Sequence, residues 1–248
     1  MSRDSRRVEL APAYILHHRP FRDTSRILEV ISRDHGRMTL FARGVRAPRS
    51  VTASLLRPFV PLLVSWSGRG EAAQLTCVEA ALDIASAALP AATLMSCFYL
   101  NELLLKLTTR HDPNAQLYDI YDSTLVALRA GALLDIRLRL FERDLLEASG
   151  FGLELGCDAR SGEPVKAGAY YHFRPALGLI EASATDTAAL RGSSMLALAA
   201  GTLTHTTELE DARRLLRVAL DEALEGRELT TRAVARAVLR GGRDERGR

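Results

Sequence analysis

The chain has 248 residues, 47% of them hydrophobic, and a net charge of +3, enough apolar content for one or two cored domains at roughly 150 residues each. Its three cysteines, Cys77, Cys97 and Cys157, are odd in number and widely spaced, which excludes a disulfide framework and fits a reducing compartment. The longest uncharged run, Ile84 to Leu100, is interrupted by Pro90, and the opening MSRDSRRVELAPAYIL has no continuous apolar stretch, so neither a membrane span nor a secretory signal is expected and a cytoplasmic location is.

From Ala13 to about Ala80 hydrophobicity alternates with period two in short runs. AYILHH comes first, RILEVIS follows PFRDTS, and RMTLFAR follows the tight RDHG turn; RPFVPLLVSW and AAQLTCVEA flank SGRGE. Five short strands, rich in branched and aromatic residues and separated by turn residues, predict a small β-barrel over residues 1–82. Pro58 and Pro61 then belong at an edge or a bulge, because neither can donate to a ladder.

After Asp83 the spacing becomes helical. Residues 91–108 put Cys97, Leu100, Leu104 and Leu107 on one stripe, 115–130 continue, and 133–149 align Leu134, Leu138, Phe141 and Leu145 before Gly150, a natural helix stop. An irregular insertion at about 150–175 interrupts. Helices return at 187–202 and 208–225, and a last one at 231–240 takes Thr230 or Thr231 as its cap. The expected class is α+β, an all-β barrel at 1–82 followed by a helical domain at 83–248.

Charge is unevenly distributed. The first 80 residues hold 13 arginines against 7 acids, a balance of +6, which leaves −3 for the rest. Arginine is nearly the sole cation, since only Lys106 and Lys166 are lysines, so the clustering in RDHGRMTLFARGVRAPRS carries the information and points to a polyanion partner. Arg232, Arg236 and Arg240 align on one face of the last helix, with Arg243, Arg246 and Arg248 beyond; this suits an auxiliary DNA contact, an acidic partner or a solvated terminus. Enzyme signatures are missing. GRGEAA lacks the third glycine of a dinucleotide loop, no phosphate-binding GxxxxGK[ST] or zinc-binding HExxH occurs, and the six histidines form no spaced set. Neither catalysis nor a cofactor is expected.

The strings LHHRPFRDTSRILEV, HGRMTLFARGVR, LRPFVPLLVSWSGRGE, FYLNELL, RLRLFERDLLEASGFG and CDARSGEP, in this order, resemble the RecO family of bacterial recombination mediators. The resemblance implies an N-terminal OB barrel, a helical body, nucleoid-associated work in DNA repair, strand annealing, and a partnership with RecR and single-strand-binding protein in loading RecA. In an OB barrel, nucleic acid lies across strands 2 and 3 and the loops 1–2 and 4–5. That places Arg22 and Arg26 in or beside the first loop, Arg37 and Arg43 on strand 3, Arg46 and Arg49 in the GVRAPRS loop, and Arg69 in SGRGE, as contacts for single- or double-stranded DNA. Guanidinium suits phosphate by donating paired hydrogen bonds and keeping its charge. Phe21, Phe41 and Trp66 are candidate stacking surfaces.

Many members of the family carry a four-cysteine zinc site in the insertion. Here only Cys157 and, distantly, His172 remain, too few for tetrahedral zinc, so a degenerate zinc-ribbon-like turn without metal is expected. The acidic tail of single-strand-binding protein needs a cation beside an apolar pocket, which Arg139 and Arg143 among leucines could supply; the other reading is an ordinary amphipathic helix whose arginines pair with Glu142 or Asp144. The alternative is a protein-interaction adaptor whose barrel holds another protein; its binding would lack the salt dependence of phosphate neutralisation.

Overall fold

The computed structural model describes residues 7–46, 52–68, 73–83 and 86–234. The period-two text folds as β1 (Arg7–Phe21), β2 (Ser25–Ser32), β3 (Gly36–Ala42), β4 (Leu62–Ser67) and β5 (Ala73–Ala80), with one helical turn, α1 (Thr52–Leu55), between β3 and β4. They close into a barrel in the order β1-β2-β3-β5-β4, with β4 returning to β1. Every pairing is antiparallel except β3 with β5, which meet in parallel at Leu40↔Ala73 and Phe41↔Gln74. Ala13, Ile15, Leu28, Val30, Met38, Leu40, Leu62 and Val64 fill the interior, small residues beside large ones as a narrow barrel requires.

Strand β1 serves two neighbours because it bends. Its register slips between Val8 and Ala11 against β4 and between Ile15 and His17 against β2, and such bulges turn a long strand from one partner to the next. The predicted strand containing Pro58 and Pro61 begins only at Leu62. Both prolines therefore precede the ladder rather than occupying an edge or bulge. At the RDHG turn Gly36 has φ +68°, and a Cβ there would lie 2.2 Å from the Asp112 carbonyl oxygen, so no other residue fits this approach.

The helical text gives α2 (Leu94–Leu107), entered through a 3₁₀ turn at Ala91–Thr93, and α3 (Ala115–Arg129), whose first turn is capped by the Asn114 side chain accepting from Leu117 N at 2.9 Å. These two helices belong with the barrel. Tyr14 and Leu16, on the outward side of β1, are 0% and 2% exposed. The Tyr14 ring lies 5.2 Å from Tyr121 and 5.7 Å from Tyr118, and its hydroxyl donates to Asp122 at 2.6 Å. Buried Asn101 donates to the Leu16 carbonyl at 2.8 Å and accepts from the Tyr121 hydroxyl at 2.5 Å. Burial, and then Asp122, push the Tyr14 hydroxyl far above its usual pKa, so it stays a donor. Two compact units result. The first runs to Ala130 and takes back the segment starting at Leu229, where Glu102 accepts from Thr230 N, Thr231 N and Thr231 Oγ1; the second is Gly131–Glu228. The change of secondary structure near residue 83 is thus not where the compact units part.

The second unit packs α4 (Leu134–Ala148), α5 (Gly192–Ala200) and α6 (Thr206–Ala223) with a small sheet, β7-β6-β8, of β6 (Tyr170–Arg174), β7 (Gly178–Ala182) and β8 (Leu190–Arg191). Gly150 stops α4 as expected: it has φ +82°, donates to Glu147 O, and is followed by Phe151 N donating to Leu146 O, the bond pair of a Schellman cap. The insertion read as irregular contains β6, and the helix expected from 187 starts at 192 because Leu190 and Arg191 pair with β6. Strands of five and two residues are too short to show a period.

Candidate nucleic-acid interface

Strand register places a row of side chains on the outward face of one barrel end: Arg19 opposite Ile27, Ile27 opposite Phe41, Phe41 opposite Gln74, with Phe21 opposite Ser25 beside it. Ile27 is buried while Phe21 and Phe41 are half-buried. Their rings meet edge-on at 5.2 Å. Arg22, in the β1–β2 turn with φ +52°, lays its guanidinium 5.2 Å over the Phe21 ring. Arg43 is exposed immediately after β3, and Arg26, half-buried on β2, donates to Leu56 O at 3.3 Å. His18 brings no charge here, since burial first, then Arg26 and His17, hold its pKa below the usual histidine value.

Arg46 has a different task. Its backbone N donates to Thr24 O at 2.8 Å and its guanidinium to Arg22 O at 3.1 Å. It thereby ties the segment after β3 to the β1–β2 turn and sets the pose of Arg22. Arg37, read as a phosphate contact, is spent inside the fold: it donates to Glu29 at 3.2 Å, to Thr108 Oγ1 at 3.1 Å and to Thr108 O at 2.8 Å, with its side chain 12% exposed. Arg33 is held by both carboxylate oxygens of Asp119, at 2.8 and 2.9 Å. Arg49 and Arg69 lie outside the described residues. Trp66 is 4% exposed and packed edge-on to His35 at 4.9 Å, so no base reaches it. Arg19 escaped the sequence reading although period two already put it on the face of Phe21.

On α4 the two arginines read as a receptor for an acidic tail are engaged within the protein. Arg139 is 8% exposed and paired at 2.9 Å with Glu142, itself 1% exposed. Arg143 donates to Leu198 O, Ala199 O and Asp144, closing the end of α5 by satisfying its last carbonyls. Arg139 is buried and Arg143 half-buried, a difference that helix spacing does not register. Of the C-terminal arginine stripe only Arg232 is described, 5.8 Å over the Tyr99 ring.

In the insertion, His172 pairs with Asp186 at 2.8 Å, and Cys157 pairs across to Pro164. The turn between is pinned by Asp158, whose Oδ1 accepts from Arg160 N, Ser161 N and Ser161 Oγ and whose Oδ2 accepts from Glu181 N on β7. These donors hold its carboxyl at about 2. Among the described residues no three His, Cys, Asp or Glu side chains gather into a metal set, and no helix is long and apolar enough to cross a membrane.

Residues 7–82 match the family model Recombination protein O N terminal, and residues 91–233 match Recombination protein O C terminal. The chain belongs to the RecO family. It is 41% identical over 238 residues to the DNA repair protein RecO of Nitrosococcus oceani, covering 95% of this chain and 96% of that protein. The DNA repair protein RecO of Methylococcus capsulatus is 42% identical over 94% of this chain and 96% of its own length, and that of Alkalilimnicola ehrlichii 43% over 94% and 93%. A closed five-stranded, OB-like barrel followed by helices is what such a RecO-family DNA-repair protein presents here.

Proposed function

We propose that this RecO-family chain is a non-catalytic, DNA-binding recombination mediator that anneals complementary strands and, with RecR, helps load RecA on DNA coated by single-strand-binding protein. The observation that carries the reading is the exposed Arg19, Arg22 and Arg43 around one end of the closed barrel, in a chain related along nearly its whole length to DNA repair proteins. Phosphate contacts hold a strand in place without reading sequence, so base edges stay available to a second strand, which is what annealing needs. The partnerships with RecR, RecA and the acidic tail of single-strand-binding protein rest on family membership.

The test is annealing of a labelled oligonucleotide with its complement, bare and coated by single-strand-binding protein, alongside binding measured across salt. Annealing above the uncatalysed rate, with log K falling by about 0.7 per log salt for each single-strand contact, supports the reading. A flat salt response without annealing supports the adaptor reading instead.

A further inference from the structure

The large exposed hydrophobic side chains among the described residues are spread singly along the chain, with one exception: Leu94, Met95 and Phe98, at 37%, 49% and 43% exposure, share the first turns of α2. At about 100° per residue they fall within one arc of roughly 100° on the helix. Pro90, Ala91 and Ala92, just before them, are exposed as well. All of these lie in Ile84–Leu100, the longest uncharged run of the chain. Single exposed leucines need no explanation, whereas a contiguous apolar patch marks a contact surface.

The patch is held in shape from beneath. Phe98 meets the buried Phe59 ring edge-on at 5.0 Å. Phe59 has φ +69°, a strained backbone for a bulky residue, and Arg129 fixes it by donating to Phe59 O while its Nε donates to Ala87 O at 3.2 Å. The base of the patch and the segment leading into α2 are thereby tied to one side chain of α3. A surface that is already ordered loses less freedom on association.

Charge decides what covers it. A phosphate backbone is held by cations, and the patch residues carry none. A second copy of this chain fits instead. The first 80 residues carry +6, so two copies repel wherever their arginines approach, and the uncharged stretch is where they meet without that repulsion. We infer that two copies associate through this face of α2, antiparallel about a twofold axis, with Met95 of each against Phe98 of the other. Such a contact is isologous and closes as a dimer, and sulfur beside an aromatic ring is a favourable neighbour. Three side chains and a few small residues fall short of the ~1,200 Å² at which stable interfaces begin. The dimer is therefore transient in solution and is favoured where copies are concentrated along a strand. Two copies carrying complementary strands meet in this way, which is how the association serves annealing; that use rests on the DNA-binding reading, and the association itself does not.

The experiment is sedimentation velocity of the full-length protein over a wide concentration range, with and without oligothymidylate, on the parent and on Met95→Glu and Met95→Lys. Met95 is nearly half exposed, so neither substitution opens the core, and urea unfolding should match the parent. The parent should show a sedimentation coefficient that rises with concentration. Each variant alone brings like charges together across the twofold axis and should associate at least about tenfold more weakly. The two variants mixed should associate again, because opposite charges then face each other. Recovery in the mixture is specific to a second copy, since no other partner carries the compensating residue. Both variants should also slow annealing while keeping the parental oligonucleotide affinity and salt slope. A parent that stays monomeric at every concentration, the patch then being left to another partner or to the chain's own residues 235–248, overturns the inference. So do variants that associate like the parent, or a mixture that stays apart. If the parent self-associates but binds no oligonucleotide, the dimer stands and the DNA-binding reading falls.

Discussion

Replacing Arg22 and Arg43 together by alanine separates free arginines from structural ones in the same strand region. Both side chains are exposed and neither is held by a carboxylate among the described contacts, so each is available for one phosphate. On single strands one contact contributes about 0.7 to the slope of log K against log salt, which near 0.1 M salt is roughly a fivefold affinity factor; two contacts give about 25-fold and a slope shallower by about 1.4. Arg37→Ala is the counterpart. It removes three hydrogen bonds to Glu29 and Thr108, leaves Glu29 with Thr39 and Arg110 alone, and should cost about 2 kcal/mol of stability with the salt slope unchanged. Fluorescence anisotropy with a labelled oligothymidylate over a salt series, paired with urea unfolding, reads both quantities. The reasoning is refuted if Arg37→Ala flattens the slope as much as the double variant does, or if the double variant keeps the parental slope.

Arg139→Ala should destabilise the protein by about 3–5 kcal/mol in urea unfolding, because Glu142 stays buried without its cation, whereas Arg139→Met combined with Glu142→Leu should stay close to the parent. The Asp158 carboxyl is held at about 2, below its unfolded value, so its contribution is complete above about pH 4 and is lost as pH falls towards 2; Asp158→Asn should lower the melting temperature at pH 7 and converge on the parent near pH 2. A chain ending at residue 82 should fail to melt cooperatively, because removing α2 and α3 uncovers Tyr14 and Leu16 at about 1.5–3 kcal/mol for each apolar side chain, while one ending at Ala130 should retain the transition.

The barrel was legible in the sequence because its interior residues Leu28, Val30, Met38 and Leu40 alternate with Glu29, Arg37 and Thr39 in RILEVIS and RMTLFAR, although the outward face of β1 is covered as well. The helices α2, α3, α4 and α6 were legible for the same reason at their own period, and Gly150 was legible because few residues other than glycine take its φ readily. What stayed hidden depends on distant partners. Tyr14 reads as an ordinary strand aromatic, and nothing near it announces Asp122, 108 residues on. That contact is what assigns α3 to the barrel rather than to the helices that follow. The small sheet was hidden by its brevity, and the turn beside it is held by Asp158 through four accepted hydrogen bonds that leave no motif in the sequence.

The arginines show the same limit most sharply, since a guanidinium fork suits two structural carbonyls as well as it suits a phosphate. Arg129 joins Ala87 O to Phe59 O, Arg143 joins Leu198 O to Ala199 O, and Arg214 joins Ala188 O to Ala189 O. Clustering along the chain therefore overstates free positive charge, and RDHGRMTLFARGVRAPRS loses Arg33 to Asp119, Arg37 to Glu29 and Thr108, and part of Arg46 to the turn it braces. Seven arginine contacts, as the sequence suggested, would give a single-strand slope of about −4.9; Arg19, Arg22 and Arg43 give about −2.1, and adding Arg49 and Arg69 gives about −3.5. The measured slope of the full chain thus counts the footprint directly. A value near −2.1 confines the phosphate contacts to the Phe21–Phe41 end of the barrel, and a steeper one draws in Arg49 and Arg69.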